Sequence, residues 1–189
     1  LVLTSQASGQ DYPSKPIRIL VGFAPGGAVD ISARVIALKL GETIGQPVVV
    51  DNRPGASGTI AAESTSKAPP DGHTLLVANV TVAMPSLFAK LGYDVARDLA
   101  PVSLIAIGPS VLVVHPSVPA RNVKELIALA RPKPKTIIYG SGGHGNITHL
   151  EMELLGSMAK LDMLHVPYKG AAPSITRLLS AEVHTLFAS

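Results

Sequence analysis

Apolar residues along this 189-residue chain come in short runs closed by glycine or proline, with helix-spaced apolar positions between them. Ile17-Arg18-Ile19-Leu20-Val21-Gly22-Phe23 follows Pro13 and Pro16 and stops at Pro25-Gly26-Gly27, the pattern of a buried strand entering a tight turn. Ile31, Val35 and Leu38 then recur at i, i+4 and i+7, with Asp30 as a cap or first-turn residue and Gly45 as the stop, which predicts a helix. Pro47 to Asp51 reads as a second strand, Pro54 to Gly58 as a glycine turn, Ala61 to Lys67 as a short helix, and Thr74 to Ala78 as a strand entered through Pro69-Pro70-Asp71-Gly72. This strand, turn and helix rhythm predicts an α/β layer with a mainly parallel sheet flanked by helices.

The middle of the chain breaks the rhythm. Val102 to Ile107 and Val111 to Val114 are successive β-type runs separated by Gly108-Pro109-Ser110, a spacing suited to leaving one sheet and entering another. A boundary near residue 105 divides the chain into one unit over 12–105 and a second over 106–189. In the second, Asn122 with Glu125 forms a capping-box pattern ahead of Leu126, Leu129 and Ala130, and Pro132 ends that helix. Strand Ile137 to Tyr139, glycine loop Gly140 to Asn146, helix Thr148 to Met158, strand Leu164 to Pro167 and helix Ser174 to Leu179 follow. Val183 to Phe187 is a last strand with no helix after it, which suggests an incomplete second unit.

Composition narrows the function. With 47% apolar and only 15% charged residues, the chain has ample surface to bury and is not an intrinsically disordered one. The absence of cysteine excludes thiolate catalysis, cysteine-ligated zinc and disulfides. A net charge of +3, with the basic residues scattered except for Arg131-Pro132-Lys133-Pro134-Lys135, lacks the dense stripe that nucleic acid requires. The longest apolar run, Val102 to Val114, is interrupted by Gly108 and Pro109 and is too short to span a bilayer. Small polar residues from Thr4 to Gln10 are of the kind found where a signal peptide is cut, so residues 1–11 read as a leader remnant or a disordered terminus.

Catalytic motifs fit poorly. No Gly-x-x-x-x-Gly-Lys-Ser/Thr is present, Gly55-Ala56-Ser57-Gly58 is one residue short of a nucleophile elbow, and Gly140-Ser141-Gly142-Gly143-His144-Gly145 has the wrong glycine spacing for a dinucleotide loop. His144 and His149 are five apart, off one helix face, and no cysteine or carboxylate cluster completes a metal site, so neither metal nor cofactor is implied. What remains is recognition. The glycine turns at Pro25-Gly26-Gly27 and Gly140 to Gly145 each feed a helix and so offer backbone N–H groups and a positive dipole end to an anion. One lies in each unit, and together they could grip a carboxylate. A serine hydrolase using Ser57 or Ser141 with a histidine is the alternative, and a self-associating fragment without a competent pocket is a third.

Tyr12-Pro13-Ser14-Lys15-Pro16-Ile17-Arg18, Phe23-Ala24-Pro25-Gly26-Gly27 and Gly45-Gln46-Pro47-Val48-Val49-Val50-Asp51-Asn52-Arg53-Pro54-Gly55-Ala56 carry a family resemblance, extended by Pro70-Asp71-Gly72-His73-Thr74-Leu75-Leu76, Ser141-Gly142-Gly143-His144-Gly145-Asn146 and His165-Val166-Pro167-Tyr168-Lys169-Gly170. The chain resembles the tripartite tricarboxylate transporter substrate-binding receptors, the Bug family, from Tyr12 onward. The resemblance implies a two-lobed periplasmic binding protein, type II-like, that closes on a small organic carboxylate and delivers it to membrane transporter subunits without catalysis.

Carried onto this sequence, the resemblance implies ligand contacts at Phe23, Ala24, Gly26, Gly27 and Asp30 in the first loop and at Ser141, Gly143, Asn146 and His149 in the second. Asn79 and Thr81 after the third strand, and Tyr168 and Lys169 at the end of the His-Val-Pro-Tyr-Lys-Gly strand, are further lining residues. Val29 stands where the family places a hydroxyl residue, which favours a ligand with an apolar flank. The resemblance also implies that the C-terminal third of such a receptor is lacking, leaving sheet edges that a second copy could cover.

Overall fold

The run Ile17–Val21 forms strand β1, with Ile17, Ile19, Leu20 and Val21 buried and Arg18 exposed, because the strand is covered on both faces. The computed structural model describes residues 12–84 and 91–188, so the reading of residues 1–11 lies outside the described residues. Strands β2 (Val48–Asn52) and β3 (Thr74–Val77) pair parallel on either side of β1, in the order β2-β1-β3, with Ile19 opposite Val50 and Leu75. Helix α1 (Ala28–Ile44) crosses from β1 to β2 and ends at Gly45, whose amide donates to the Gly41 carbonyl and whose left-handed φ of 68° then turns the chain out of the helix. Helix α2 (Thr59–Ser66) crosses from β2 to β3.

The apolar spacing that predicts α1 marks its outer face. Ile31, Val35 and Leu38 are exposed, while Ala33 and Ala37 lie in the core with Ile19, Val21, Phe23 and Val77. Small side chains let the helix sit close on the sheet, and larger ones on that face would hold it off. Val29 also packs against this cluster, so its side chain serves the core.

After the single-turn helix α3 (Val95–Asp98), residues 99–110 take no regular structure. The strand predicted over Val102 to Ile107 does not form: Val102, Leu104 and Ile107 are exposed, and among the described residues no strand lies beside them. Strand pairing depends on a partner that local sequence cannot supply. The second sheet contains β4 (Val111–Val114), β5 (Ile138–Ser141), β6 (Leu164–Pro167) and β7 (Thr185–Ala188) in the order β4-β7-β5-β6. The β4–β7 pair is antiparallel and the rest are parallel. Strand β7 is therefore interior to the sheet, and the helices α5 (Ile147–Ala159) and α6 (Ala171–Leu179) pack against it, contrary to an uncovered final strand. Helix α4 (Val123–Ala130) starts as its capping pattern predicts, with Asn122 Oδ1 accepting the Glu125 amide at 3.0 Å.

Candidate functional site

The carboxyl ends of β1 and β5 point at each other across a cleft, and each continues into a glycine-rich turn. In the first turn Asp30 organises the backbone. Its carboxylate accepts from the Gly26 amide at 2.9 Å, Arg34 Nε at 3.0 Å and Asn52 Nδ2 at 2.8 Å, and Asn52 Nδ2 also donates to the Phe23 carbonyl at 3.1 Å. Burial alone would raise the Asp30 pKa, but the hydrogen bonds from Arg34, Gly26 and Asn52 outweigh it and hold the carboxyl below its ordinary value. Asp30 is 2% exposed, so it faces the loop rather than the cleft.

The second turn is organised in the same way by its own side chains. Asn146 caps α5, its Oδ1 accepting from the Thr148 amide at 3.1 Å, and Thr148 Oγ1 accepts from the Gly142 amide at 3.0 Å. His149 Nδ1 accepts the Gly145 amide at 3.2 Å, and Ser141 Oγ accepts the Gly143 amide at 3.2 Å while pairing with His165 Nε2 at 2.7 Å. His149 stacks on His165 at 4.1 Å between ring centroids, and Tyr139 stacks on His165 at 4.8 Å and on His149 at 6.3 Å, so the three rings form one cluster. Burial, then the neighbouring His149 and His144, push the His165 pKa down to about 4, so its ring is neutral near pH 7. Burial also lowers His149. Ser141 is 1% exposed and does not line the cleft, and this pair offers a substrate no nucleophile.

Hydrogen bonds among the described residues join the two sheet-centred halves. The Ala24 amide donates to the Lys169 carbonyl at 2.8 Å, Ser57 Oγ donates to the His144 carbonyl at 2.6 Å, and the Ile147 amide donates to Thr81 Oγ1 at 3.3 Å. Between them lies a cavity of about 240 Å³. Gly22, Phe23, Gly55, Ala56 and Ser57 line it from the first half. Gly142, Gly143, His144, Pro167, Tyr168 and Lys169 line it from the second. Lys169 is the one formally charged residue among them. At the edge of the cleft the N-termini of α1 and α6 come close, such that a Cβ on Gly27 would stand 3.7 Å from the Ala171 Cβ, and neither helix is capped by a side chain. Their first amides keep the positive end of each helix available to an anion.

Of the residues the sequence singled out, the structure brings Phe23, Gly143, Tyr168 and Lys169 together in the cavity wall. Ala24, Gly26 and Gly27 lie beside it against the second half. Asp30, Ser141, Asn146 and His149 hold the turns from behind, and Asn79 caps the short 3-10 turn Val80–Ala83, its Oδ1 accepting the Thr81 amide at 3.1 Å. Thr81 is fully buried and bonds across to α5. Gly55, Ala56 and Ser57, which in sequence read as a glycine turn with Ser57 as a nucleophile candidate, form a further wall of the cavity, and the run of small residues after Pro54 is the signal that marks it.

The profile described as "Tripartite tricarboxylate transporter family receptor" matches residues 32–189. The chain belongs to that family. It is 41% identical over 179 residues to a UPF0065 protein encoded between tcbD and tcbE in Pseudomonas sp. strain P51, covering 94% of this chain and 53% of that one. It is 36% identical over 184 residues to BugT of Bordetella pertussis, covering 96% and 56%. Among solved structures, a Rhodopseudomonas palustris protein with adipate superposes with a TM-score of 0.87 at 37% identity, covering 94% of this chain and 60% of that one. MatC from the same organism, with bound malate, gives 0.88 at 31% identity, covering 94% and 61%. The periplasmic binding protein BugD gives 0.86 at 31%. The fold is thus that of the two-lobed periplasmic binding proteins, and the relatives in this tricarboxylate receptor family are receptors rather than enzymes. The chain spans about half the length of the curated relatives it matches. Among the described residues, no helix is long and apolar enough to cross a membrane.

Proposed function

We propose that this chain forms the ligand-holding part of a periplasmic receptor. Its two lobes, 12–105 and 106–189, close on a small organic carboxylate and present it to the membrane subunits of a tripartite tricarboxylate-type transporter. The observation that carries this reading is the cavity itself, walled from both halves mostly by backbone and small residues, with Lys169 as its formal charge and two uncapped helix starts at its edge. An anion gains from that arrangement and a cation does not.

Several neighbouring amides are already engaged. Ala24 donates to Lys169, Gly26 to Asp30, and Gly142, Gly143 and Gly145 to side chains of their own loop. The ligand is therefore met by Lys169, the Tyr168 and Phe23 rings and the first amides of α1 and α6, while Asp30, Ser141, Asn146 and His149 hold those groups in place. A cavity of about 240 Å³ lies below the roughly 300–1,000 Å³ of sites for drug-sized ligands, which suits a small metabolite. Adipate and malate in the two structural relatives are of that class. Native mass spectrometry of the native-length protein as purified tests the reading: a carboxylic acid of low mass released on mild activation supports it, and a bound amine, sugar or cation in its place counts against it.

A further inference from the structure

The turn after β2 passes through four successive residues with positive φ: Gly55 at 141°, Ala56 at 46°, Ser57 at 53° and Gly58 at 94°. Left-handed backbone is unfavourable for the two that carry a Cβ, and a glycine at position 57 would fit without that strain. What a serine adds there is its hydroxyl. That hydroxyl, on a side chain 8% exposed, donates to the His144 carbonyl, 87 residues away in the other half. The fit is close on the facing side as well, because a Cβ on Gly143 would stand 2.7 Å from Ser57 Oγ. Gly143 leaves the space that the hydroxyl occupies.

Ser57 belongs to a turn of the first half and His144 to a loop of the second, so their bond exists only when the halves are together. We infer that Ser57 is a closure latch, a positioning residue whose hydroxyl ties the lobes across the ligand cavity and so sets how long a bound carboxylate stays. The inference rests on the reading of the cleft as a ligand site. In the open form water satisfies both groups, so the bond adds to the closed form alone and shifts the population toward it. Release from the closed form slows accordingly, with the encounter rate little changed. A bond of ordinary strength corresponds to about a fivefold change in the closed-to-open ratio.

The test uses Ser57→Ala and Ser57→Gly in the native-length protein, spin-labelled through Lys39→Cys on α1 and Lys124→Cys on α4, since the 189 residues contain no cysteine of their own. Distance distributions are recorded without ligand, and then with malate or adipate as probes alongside stopped-flow release. Both variants are expected to lose the shorter distance in favour of the longer by about fivefold without ligand, and to release a bound probe faster by a similar factor. Thermal midpoints check folding, and Ser57→Gly, which also relieves the strained φ, should melt no lower than Ser57→Ala. Wild-type distributions in both variants overturn the latch, as does a wild-type protein with no short-distance population in the absence of ligand. If neither probe binds the wild type, the carboxylate reading fails for those acids, and the ligand-free distributions still decide the latch.

Discussion

Replacing Asp30 by alanine removes the acceptor on which the first turn is built. Its carboxylate takes hydrogen bonds from the Gly26 amide, Arg34 Nε and Asn52 Nδ2, at 2.8 to 3.0 Å. Arg34 has a half-exposed side chain that water can solvate, so its ion pair adds little. The bonds from Gly26 and from the part-buried Asn52 contribute about 1 kcal/mol each, because one partner is charged and water replaces them only partly. These two bonds together contribute about 2 kcal/mol, which for a domain of this size lowers the thermal midpoint by about 4 to 8 °C. The sign of the pH dependence follows from the depressed carboxyl pKa. The stabilisation is present above the unfolded value near 4 and is lost as pH falls through the lower folded value, so the gap between wild type and Asp30→Ala narrows in acid. Differential scanning calorimetry at about pH 7 and pH 3 reads both quantities. A variant melting within about 2 °C of wild type at neutral pH, against the roughly 4 °C minimum set by the stability scaling, would refute the assignment of Asp30 as the organiser of the turn.

Further substitutions probe the second turn. Gly143→Ala places a Cβ at a backbone φ of 136°, 2.7 Å from Ser57 Oγ and 3.3 Å from the Tyr168 carbonyl; it should cost about 2 kcal/mol and abolish tight ligand binding, as calorimetric titration would show. Adding Ser57→Gly should recover the part due to the hydroxyl clash and leave the part due to φ. His165 is half-buried and neutral with its pKa depressed to about 4, so the unfolded chain binds the extra proton first and stability falls by at most about 3 kcal/mol, less what solvent screening removes, as pH drops from 6.5 toward 4. In His165→Gln that acid-side slope of the midpoint against pH should flatten, and an unchanged slope would assign the acid sensitivity to other groups.

The elements that depend on local pattern are the ones the sequence shows plainly. Strand β1, the glycine turns and the Asn122 cap of α4 appear where runs, Gly/Pro punctuation and capping residues put them. Features that depend on distant partners do not. Val102 to Ile107 reads as a strand by composition but among the described residues has no strand beside it, and β7, the last described strand, takes an interior place between β4 and β5. The apolar repeat of α1 gives the helix but not its buried face, because alanines make the closer contact. The site follows the same division. The glycine loops announce an anion-binding geometry, but which amides remain for a ligand depends on Asp30, Thr148, Ser141 and His149 folding back onto them. Ser57 reads as a nucleophile candidate in sequence because its partner, a backbone carbonyl 87 residues on, has no sequence signature.

The cleft is proposed to hold a small carboxylate. Isothermal titration of the folded, native-length protein, stripped of endogenous ligand, against a panel of dicarboxylates, tricarboxylates and aromatic acids tests it most directly. A saturable one-site isotherm in the sub-millimolar range is expected for at least one acid, weakened when Lys169 is replaced by methionine. No heat of binding across the whole panel, from protein that melts cooperatively, would contradict it.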